Sequence, residues 1–389
     1  MTNEMKQKNN IFKQIDSILI FIFCVLLFTF LVKYVPTDIQ LHNNSLEKRN
    51  LENAPYPPNF LYFFLVNLFS GFSNNRFLMD GAAIILLSLA TTAKFIISKI
   101  IIVDLSKTFN IRYSHKNLSL IALALFFCFA IPDFYNIFIS KKMYIGKFVP
   151  TVWHNSTTIF LFPIAILLFW KQLKVFDNNT ILPFKDLVLI SFLVIINILI
   201  KPSFIFVYIP VTFLMLLKSF RTDNPKRFLL KLTPLFIGGL LILLQYILIY
   251  HFEYGILHSE PSSVKISAPF ELLRKRNPIW YIPISFFSSL ALPLLSMITY
   301  RKIFKFMPFV YALCLTIVGI LISAFILESG PRMWHGNFGW QNKICTYLLM
   351  LSTITFIIPK IKDNIPDSRT TKFLLIVIVV HSLSGIIYI

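Results

Sequence analysis

Long apolar segments recur along the whole chain, and they constrain its fold more than any other feature. A helix needs roughly 20 apolar residues to cross about 30 Å of hydrocarbon. About eleven segments of the sequence approach that length: 16–35, 79–99, 118–139, 157–171, 187–200, 202–218, 232–251, 279–300, 307–327, 344–359 and 373–389. We therefore predict an all-α fold, a polytopic integral membrane helical bundle, with 1–389 as a single integral membrane domain and no soluble domain.

The composition supports a protein embedded in lipid. Hydrophobic residues make up 56% of the chain and charged residues only 14%, which excludes an ordinary soluble domain. The sequence has no Walker loop and no dinucleotide-binding glycine fingerprint, so an ATP-driven pump formed by this chain alone is not expected. The four cysteines show no metal-ligand spacing, and we predict no metal site from them.

Basic residues predict how the bundle is oriented. Lys6, Lys8 and Lys13 precede the first apolar segment, which favours a cytoplasmic N-terminus. With eleven spans, the loops on that side collect more Lys and Arg than the opposite loops do. The net charge of +20 is attributed to topology and to contact with anionic lipid headgroups, and no nucleic-acid partner is expected. An alternative stays open, because 187–218 could form one span, which would invert everything after it.

The first outer loop, 36–77, carries the most informative polar residues. Asp38 and His42 are four residues apart and would share one face of a helix that Thr37 caps. Downstream, Pro58–Phe72 is apolar but too short to cross, which favours an interfacial, juxtamembrane helix. An ionisable group beside hydrocarbon is costly, so it is a functional candidate. The simpler alternative is that Asp38 only caps a juxtamembrane helix.

The second and third outer loops fall on the same side in this arrangement. The second loop, 140–158, holds Trp153 and His154, an aromatic ring beside a hydrogen-bonding group. The third loop, 253–278, combines several ionisable side chains; they are Glu253, His258, Glu260, Glu271, Arg274, Lys275 and Arg276. A cluster of three cations suits a phosphate or pyrophosphate, because Arg can bind two oxygens at once. The alternatives are a membrane-interface tryptophan in the second loop and a solvated face in the third.

The fourth outer loop, 328–342, concentrates aromatic, cationic and hydrogen-bonding groups. They are Glu328, Arg332, Trp334, His335 and Trp340. A sugar ring stacks its C–H faces on aromatic rings while its hydroxyls form hydrogen bonds, and this composition suits such a ligand. The alternative is an interfacial loop anchored by its tryptophans.

The arrangement resembles the GT-C superfamily of membrane glycosyltransferases, which use polyprenyl-phosphate sugars. The resemblance rests on one span followed by an outer loop with Asp38 near its start, and on the apolar surface helix introduced by Tyr56-Pro57-Pro58. In that family the first outer loop carries a catalytic acid flanked by two juxtamembrane helices, and Asp38 is the matching position. The chain is also similar to bacterial O-antigen and capsule polymerases, which act on polyprenyl-pyrophosphate glycans. The resemblance implies a bacterial cytoplasmic (inner) membrane protein.

Transfer of a sugar from a lipid phosphate gives these residues expected roles. Asp38, with His42 beside it, would take the proton of the attacking hydroxyl. Cations would stabilise the departing phosphate, and the candidates are Arg274, Lys275, Arg276 and Arg332. A platform would hold the sugar, and its candidates are Trp153, His154, Glu328, Trp334, His335 and Trp340. No cofactor is demanded, and a divalent metal is compatible with the chemistry. The expected partners are a polyprenyl-linked sugar donor, a glycan acceptor and membrane lipids.

Other functions stay open on the sequence alone. An O-antigen or capsule repeat-unit polymerase is one alternative that the sequence does not separate from a single-sugar transferase. A secondary transporter or flippase of lipid-linked sugars would place ionisable residues in mid-membrane, where Lys201, Gln245 and His381 are the candidates. A non-enzymatic membrane scaffold is a third alternative, although it would not need polar clusters in four loops on one face.

Overall fold

The computed structural model describes residues 3–141, 146–176, 183–220, 223–255, 262–362 and 368–389. Within these residues the chain is mainly helical. The helices are α1 (Asn3–Tyr34), α2 (Asp38–Leu51), α3 (Leu61–Phe69), α4 (Arg76–Ser106), α5 (His115–Phe126), α6 (Ser156–Val175), α7 (Phe184–Ile200), α8 (Ser203–Leu216), α9 (Pro225–Tyr250), α10 (Glu271–Arg276), α11 (Tyr281–Thr299), α12 (Met307–Phe325), α13 (Gln341–Lys362) and α14 (Ser368–Tyr388). His258 and Glu260 of the third outer loop lie outside the described residues.

The helices confirm an all-α, multi-pass membrane protein. Among the described residues, eight helical segments are long and apolar enough to cross a membrane, and they fall in α1, α4, α6, α9, α11, α12, α13 and α14. The predicted count of about eleven spans is not confirmed. The remaining apolar helices α5, α7 and α8 are shorter, with 12, 17 and 14 residues.

The predicted span 118–139 is wrong as a continuous helix, because α5 ends at Phe126. Beyond Phe126, backbone hydrogen bonds to other helices replace the hydrogen bonds within α5. The backbone N–H of Phe129 donates to the His381 carbonyl of α14 at 2.9 Å, and that of Ile131 donates to the Ser288 carbonyl of α11 at 2.8 Å. Because these partners lie elsewhere in the chain, hydropathy along the segment does not reveal the break.

Helices α7 and α8 fold back on each other at Lys201 instead of forming one span. A Cβ added to Gly238 of α9 would lie 3.0 Å from Val194 of α7 and 3.2 Å from Ile209 of α8. In a continuous helix these two residues would be about 22 Å apart, since each residue adds 1.5 Å. Two separate helices therefore replace the long single span that was the alternative.

A short two-stranded sheet joins the third and fourth outer loops, and the sequence did not predict it. Strand β1 (Val264–Ile266) pairs antiparallel with β2 (Ile326–Glu328), and Lys265 lies opposite Leu327. Because β2 follows α12 directly, the pairing places Glu328 at the end of the bundle.

Helix α4 connects the two ends of the bundle. In its first turn, Arg76 donates to the Gln40 carbonyl of α2 at 3.2 Å and pairs with Asp80 at 2.9 Å. Farther along α4, Lys99 pairs with Asp16 of α1. Lys99 lies about 35 Å along the helix from Arg76 at 1.5 Å per residue. The loop that carries Asp38 and the Asp16–Lys99 pair are therefore at opposite ends.

The predicted interfacial helix is shorter than its apolar segment. Helix α3 covers only Leu61–Phe69 of the predicted Pro58–Phe72, and Tyr62 and Val66 on one face are fully buried. The proline-rich start and the left-handed turn at Gly71 and Phe72 limit its length. Together, α2 and α3 lie between the first and second long helices, as the arrangement of the first outer loop predicted.

Candidate functional site

The start of α2 is fixed by a capping box. The Thr37 hydroxyl accepts from the Ile39 backbone N–H at 3.3 Å, and the Thr37 backbone N–H donates to Gln40 Oε1 at 2.8 Å. The Gln40 amide also donates to the Val35 carbonyl at 2.7 Å, which ties this turn to the end of α1. The predicted N-cap is thereby confirmed, and Asp38 is the first residue of α2.

Asp38 contacts the second outer loop at two points. Its backbone N–H donates to the His154 carbonyl at 3.1 Å. Its carboxylate oxygen Oδ2 accepts a hydrogen bond from the side-chain amide of Asn155. Two polar loops that are far apart in the sequence therefore meet at this carboxylate.

Lys201 fixes the orientation of the Asn155 amide. The Asn155 oxygen Oδ1 accepts from the Thr158 backbone N–H at 3.0 Å and from Lys201 Nζ at 3.0 Å. Lys201 also donates to Thr157 Oγ1 at 3.2 Å. Because Thr157 Oγ1 also donates to Oδ1 at 3.2 Å, this oxygen has three donors, and the Asn155 nitrogen is the atom left for Asp38. A chain of hydrogen bonds thus runs from Lys201 through Asn155 to the Asp38 carboxylate.

Trp340 connects this chain to the fourth outer loop. Lys201 Nζ lies 4.6 Å from the centroid of the Trp340 ring, which is cation–π distance. The His154 ring lies 5.8 Å from the same ring, at a tilt of 59°. Trp340 thus contacts both Lys201, which donates to Asn155, and His154, which precedes Asn155 in the chain.

A cavity of about 650 Å³ opens beside Asp38. Polar groups line one part of it, including Asp38, Gln40 and His154. The ends of α1 and α14 line the rest; the residues are Leu27, Leu31, Lys33, Tyr34, Val35, Tyr388 and Ile389. The cavity therefore combines a carboxylate with walls suited to an apolar chain, and its volume is in the range of small-molecule sites.

A smaller, cationic pocket of about 120 Å³ lies on the other side of His154. Its lining includes Lys147, Arg276, His335 and Lys343, while the described lining contains no Asp or Glu. Lys343 Nζ donates to the Lys147 carbonyl at 3.0 Å, and Arg276 donates to the Trp334 carbonyl at 2.7 Å. Such an arrangement favours an anion.

The cations of this pocket differ in how they are neutralised. Lys147 pairs with Asp133 at 2.7 Å, and burial lowers the pKa of Lys147 against the raising effect of that carboxylate. Lys343 and Arg276 have no carboxylate partner among the described residues. These two side chains therefore supply positive charge that no described carboxylate balances.

Glu328 lies at a third cavity, of about 270 Å³, which Lys201 also lines. The carboxylate is buried and accepts from the Tyr250 hydroxyl at 2.6 Å and from the Asn337 amide. Arg332 pairs with it at 3.1 Å. Because its guanidinium is paired with Glu328, Arg332 is a weaker candidate for binding phosphate than the sequence predicted.

The remaining predicted residues occupy different positions. His42 Nδ1 lies 2.5 Å from Ser156 Oγ, and the His42 ring centroid lies 5.5 Å from that of Phe63. His42 therefore packs against α3 and α6, and it is not among the described residues that line the Asp38 cavity. Trp153 is buried, lines that cavity, and its Nε1 has no hydrogen-bond partner among the described residues.

The three side chains of the basic cluster, Arg274, Lys275 and Arg276, have different surroundings. Lys275 Nζ lies 3.6 Å from the centroid of the Trp334 ring, so these two predicted residues contact each other. Arg274 is exposed, and its side chain forms no hydrogen bond or ion pair with another described residue. Arg276 alone of the three lines the cationic pocket.

Desolvation keeps the two histidines near Asp38 neutral. Burial lowers the pKa of His42 to about 4, and the nearby Lys201 lowers it further, against the opposing effect of Asp38. Burial also lowers the pKa of His154 to about 4; Asp38 opposes this, whereas Lys343 and Lys201 add to it. At neutral pH both rings can donate or accept a hydrogen bond but carry no charge.

Sequence reasoning gave Lys201, Asn155 and Lys343 no role in this site. Lys201 was a candidate only for a transporter, and the Lys201-Pro202 step that breaks the helix is the signal that could have marked it. Asn155 directly precedes an apolar helix, and an Asn at such a position predicts an N-cap; this is the signal that could have marked it. Lys343 follows the polar fourth loop without any distinguishing pattern.

Comparison with protein-family models and with curated proteins returns no match for this chain. Within the described residues, His, Cys, Asp and Glu side chains form no group of three or more that could hold a metal ion. The functional argument therefore depends on the geometry around Asp38.

Proposed function

We propose that this protein is a membrane glycosyltransferase of the GT-C type, which transfers a sugar or glycan from a polyprenyl-(pyro)phosphate donor to a cell-surface polysaccharide acceptor. The observation that carries the proposal is the Asp38 carboxylate, held by Asn155 at the wall of a 650 Å³ cavity with largely apolar sides. A lipid-linked sugar needs both a reactive polar region and an apolar path to the bilayer.

Asp38 would act as the general base. The acceptor hydroxyl attacks the anomeric carbon of the donor sugar, and its proton passes to the Asp38 carboxylate. A new carbon–oxygen bond forms while the bond between the anomeric carbon and the phosphate oxygen breaks. The polyprenyl phosphate leaves with the electron pair of the broken bond, so negative charge grows on the phosphate.

The cationic pocket supports the second part of this step. Arg276 and Lys343 lack carboxylate partners among the described residues, and His154 lines both this pocket and the Asp38 cavity. Cations placed where charge develops stabilise the transition state more than the ground state. We assign the phosphate to this pocket, with Arg276 retained from the predicted cluster and Lys343 added to it.

Aromatic and amide groups would hold the sugar. Trp340 and Trp153 provide ring surface beside the Asp38 cavity and the cationic pocket, and Trp153 Nε1 lacks a partner among the described residues. Neutral His154 adds a hydrogen-bonding group between the two. Glu328, bonded by Tyr250 and Arg332, would contact hydroxyls from its own neighbouring cavity.

The location of Lys201 favours the transferase over a transporter. A transporter would use this cation at an isolated mid-membrane site. Lys201 instead donates to Asn155, the residue that holds the Asp38 carboxylate. We further propose that this end of the bundle faces the outside of a bacterial inner membrane, with the N-terminus in the cytoplasm, as the basic residues predict.

Glycan analysis of a deletion strain tests the proposal. Loss of one sugar from the surface polysaccharide would support a single-sugar transferase, whereas collapse of long chains to one repeat unit would support a polymerase. Wild-type protein should restore the glycan and Asp38→Asn should not, at equal membrane abundance. An unchanged glycan in the deletion strain, or full restoration by Asp38→Asn, would contradict Asp38-dependent glycosyl transfer.

A further inference from the structure

A groove of about 660 Å³ lies along α4, at the end of the bundle opposite Asp38. Its apolar wall includes Ile96, Ile100 and Val103, whose spacing of four and three residues places them on one face of the helix. These three side chains are exposed by 38%, 46% and 42%, so the described helices leave much of this face uncovered. In a bilayer, an uncovered apolar helix face lies against hydrocarbon chains.

The polar rim of this groove consists of Asp104, Lys107 and Trp170, which line it, together with Lys171 and Lys174, which lie beside Trp170 outside the lining. Asp104 accepts from Lys107 Nζ at 2.7 Å and from the Trp170 indole N–H at 2.8 Å. Lys171 and Lys174 lie 4.8 and 5.2 Å from the Trp170 ring centroid. Trp170 therefore anchors two lysines beside the groove, and an indole at this depth is typical of the membrane interface.

The rim carries an excess of positive charge. Lys99 is paired with Asp16, and Lys107 is paired with Asp104. Lys171 and Lys174 have cation–π contacts with Trp170 but no carboxylate partner among the described residues. Among the described residues, two cations thus remain to bind an anion at the place where the apolar wall ends.

We propose that this groove is a binding site for an anionic phospholipid of the bilayer. Its phosphate contacts Lys171 and Lys174 beside Trp170, and an acyl chain lies along Ile96, Ile100 and Val103. The apolar wall distinguishes a lipid from a free phosphate, because a soluble anion would leave that wall uncovered. The site opens laterally to the membrane and is separate from the Asp38 cavity, so it does not depend on the proposed transferase activity.

The charge of the rim can be changed in both directions. Lys171→Gln with Lys174→Gln removes the two unbalanced cations, whereas Asp104→Asn removes an acid that repels the phosphate. The matched control is Lys302→Gln with Lys305→Gln, which makes the same charge change in exposed side chains of the turn Arg301–Lys305. This turn is at the same end, since Phe306 beside it contacts Phe109 at 5.4 Å between ring centroids.

Native mass spectrometry of the purified full-length protein measures the binding. Phosphatidylglycerol, phosphatidylcholine and a polyprenyl monophosphate serve as probes. Wild type should bind phosphatidylglycerol about tenfold more tightly than phosphatidylcholine, since each nearby Lys attracts an anionic headgroup. The Lys171/Lys174 variant should lose this preference, the control should keep it, and Asp104→Asn should strengthen it.

Three outcomes would overturn the assignment. The first is equal binding of the two phospholipids to wild type. The second is an equal loss of preference in both double-lysine variants. The third is tighter binding of the polyprenyl monophosphate than of phosphatidylglycerol, if the Lys171/Lys174 variant loses that binding and so assigns it to this groove. Asp104→Asn keeps the test independent of folding defects in the lysine variant, because destabilisation cannot increase the affinity for an anion.

Discussion

The side-chain amide of Asn155 donates a hydrogen bond to Asp38 across 117 residues of sequence. Asn155 is also the N-cap of α6, and its oxygen accepts from the Thr158 backbone N–H at 3.0 Å. One amide therefore begins a membrane-spanning helix with its oxygen and holds the candidate base with its nitrogen. The position of the Asp38 carboxylate is consequently fixed by a long helix instead of by a mobile loop.

The proposed role of Asp38 predicts a large effect from a small change. Asp38→Asn removes the base but keeps the size of the side chain, so glycosyl transfer should fall roughly 10²- to 10⁴-fold. Transfer from a polyprenyl-phosphate sugar by purified protein is the measurement. Glu52→Gln, an exposed acid at the other end of α2, is the matched control and should act as wild type. Near-normal transfer by Asp38→Asn would leave Asp38 as only a stabilising acid in the first turn of α2.

Lys201 is expected to act as a positioning residue. Lys201→Gln removes the charged donor to Asn155, which allows the amide to turn and displaces the Asp38 carboxylate. A displacement of this kind should lower kcat by roughly tenfold to a hundredfold with little change in KM for the donor. Lys201→Arg should restore part of kcat, because it keeps a charged donor. A rise in KM with unchanged kcat would instead indicate that Lys201 binds the substrate directly.

The lining of the cationic pocket predicts that Arg276 contributes more to donor binding than Arg274 does. Arg276→Gln should weaken use of the donor about tenfold or more, since a hydrogen bond to a charged group contributes roughly 1.5–3 kcal/mol. Arg274→Gln is the matched control, because Arg274 is exposed and outside the pocket. Donor KM is measured for both variants. Equal effects at the two positions would show that the cluster acts only through its overall charge.

Acid should destabilise the folded protein through His42 and His154. Their pKa values fall to about 4 in the folded state, against an ordinary value near 6.5 for the unfolded chain. Between these values the unfolded chain binds more protons, so stability is lost as the pH falls from about 6.5 toward 4. Thermal unfolding in detergent measures this loss. His154→Asn should reduce it, whereas the exposed His251→Asn should not; equal slopes for all three proteins would contradict burial as the cause.

Thiol labelling tests the orientation of the bundle. In a variant without the four native cysteines, Glu52→Cys and Arg274→Cys should react with a membrane-impermeant reagent in intact spheroplasts. Lys107→Cys and Lys302→Cys lie at the opposite end and should react only after the membrane is opened, because the lysine-rich side is expected in the cytoplasm. Labelling of Arg274→Cys together with Lys107→Cys would show that the two ends are assigned incorrectly.

Part of the fold could be predicted because its causes are local. The length of the apolar segments predicted the long helices, and Thr37 as an N-cap predicted the start of α2. The break after Phe126 could not be predicted, since Phe129 and Ile131 bond to helices that lie far away in the sequence. The same is true of the β1–β2 pair, whose strands are short and separated by two long helices.

For the candidate site, the amino-acid sequence is enough to name the chemical groups of the polar loops, including Asp38, Trp340 and Arg276. Which of these groups meet depends on the packing of helices that are distant in the chain. This packing joined Asp38 to Asn155 and Lys201, separated Arg276 from Arg274, and brought Lys343 to the cationic pocket. Capping and hydrophobicity act over a few residues, whereas this network forms only when α2, α7 and α13 pack against α6.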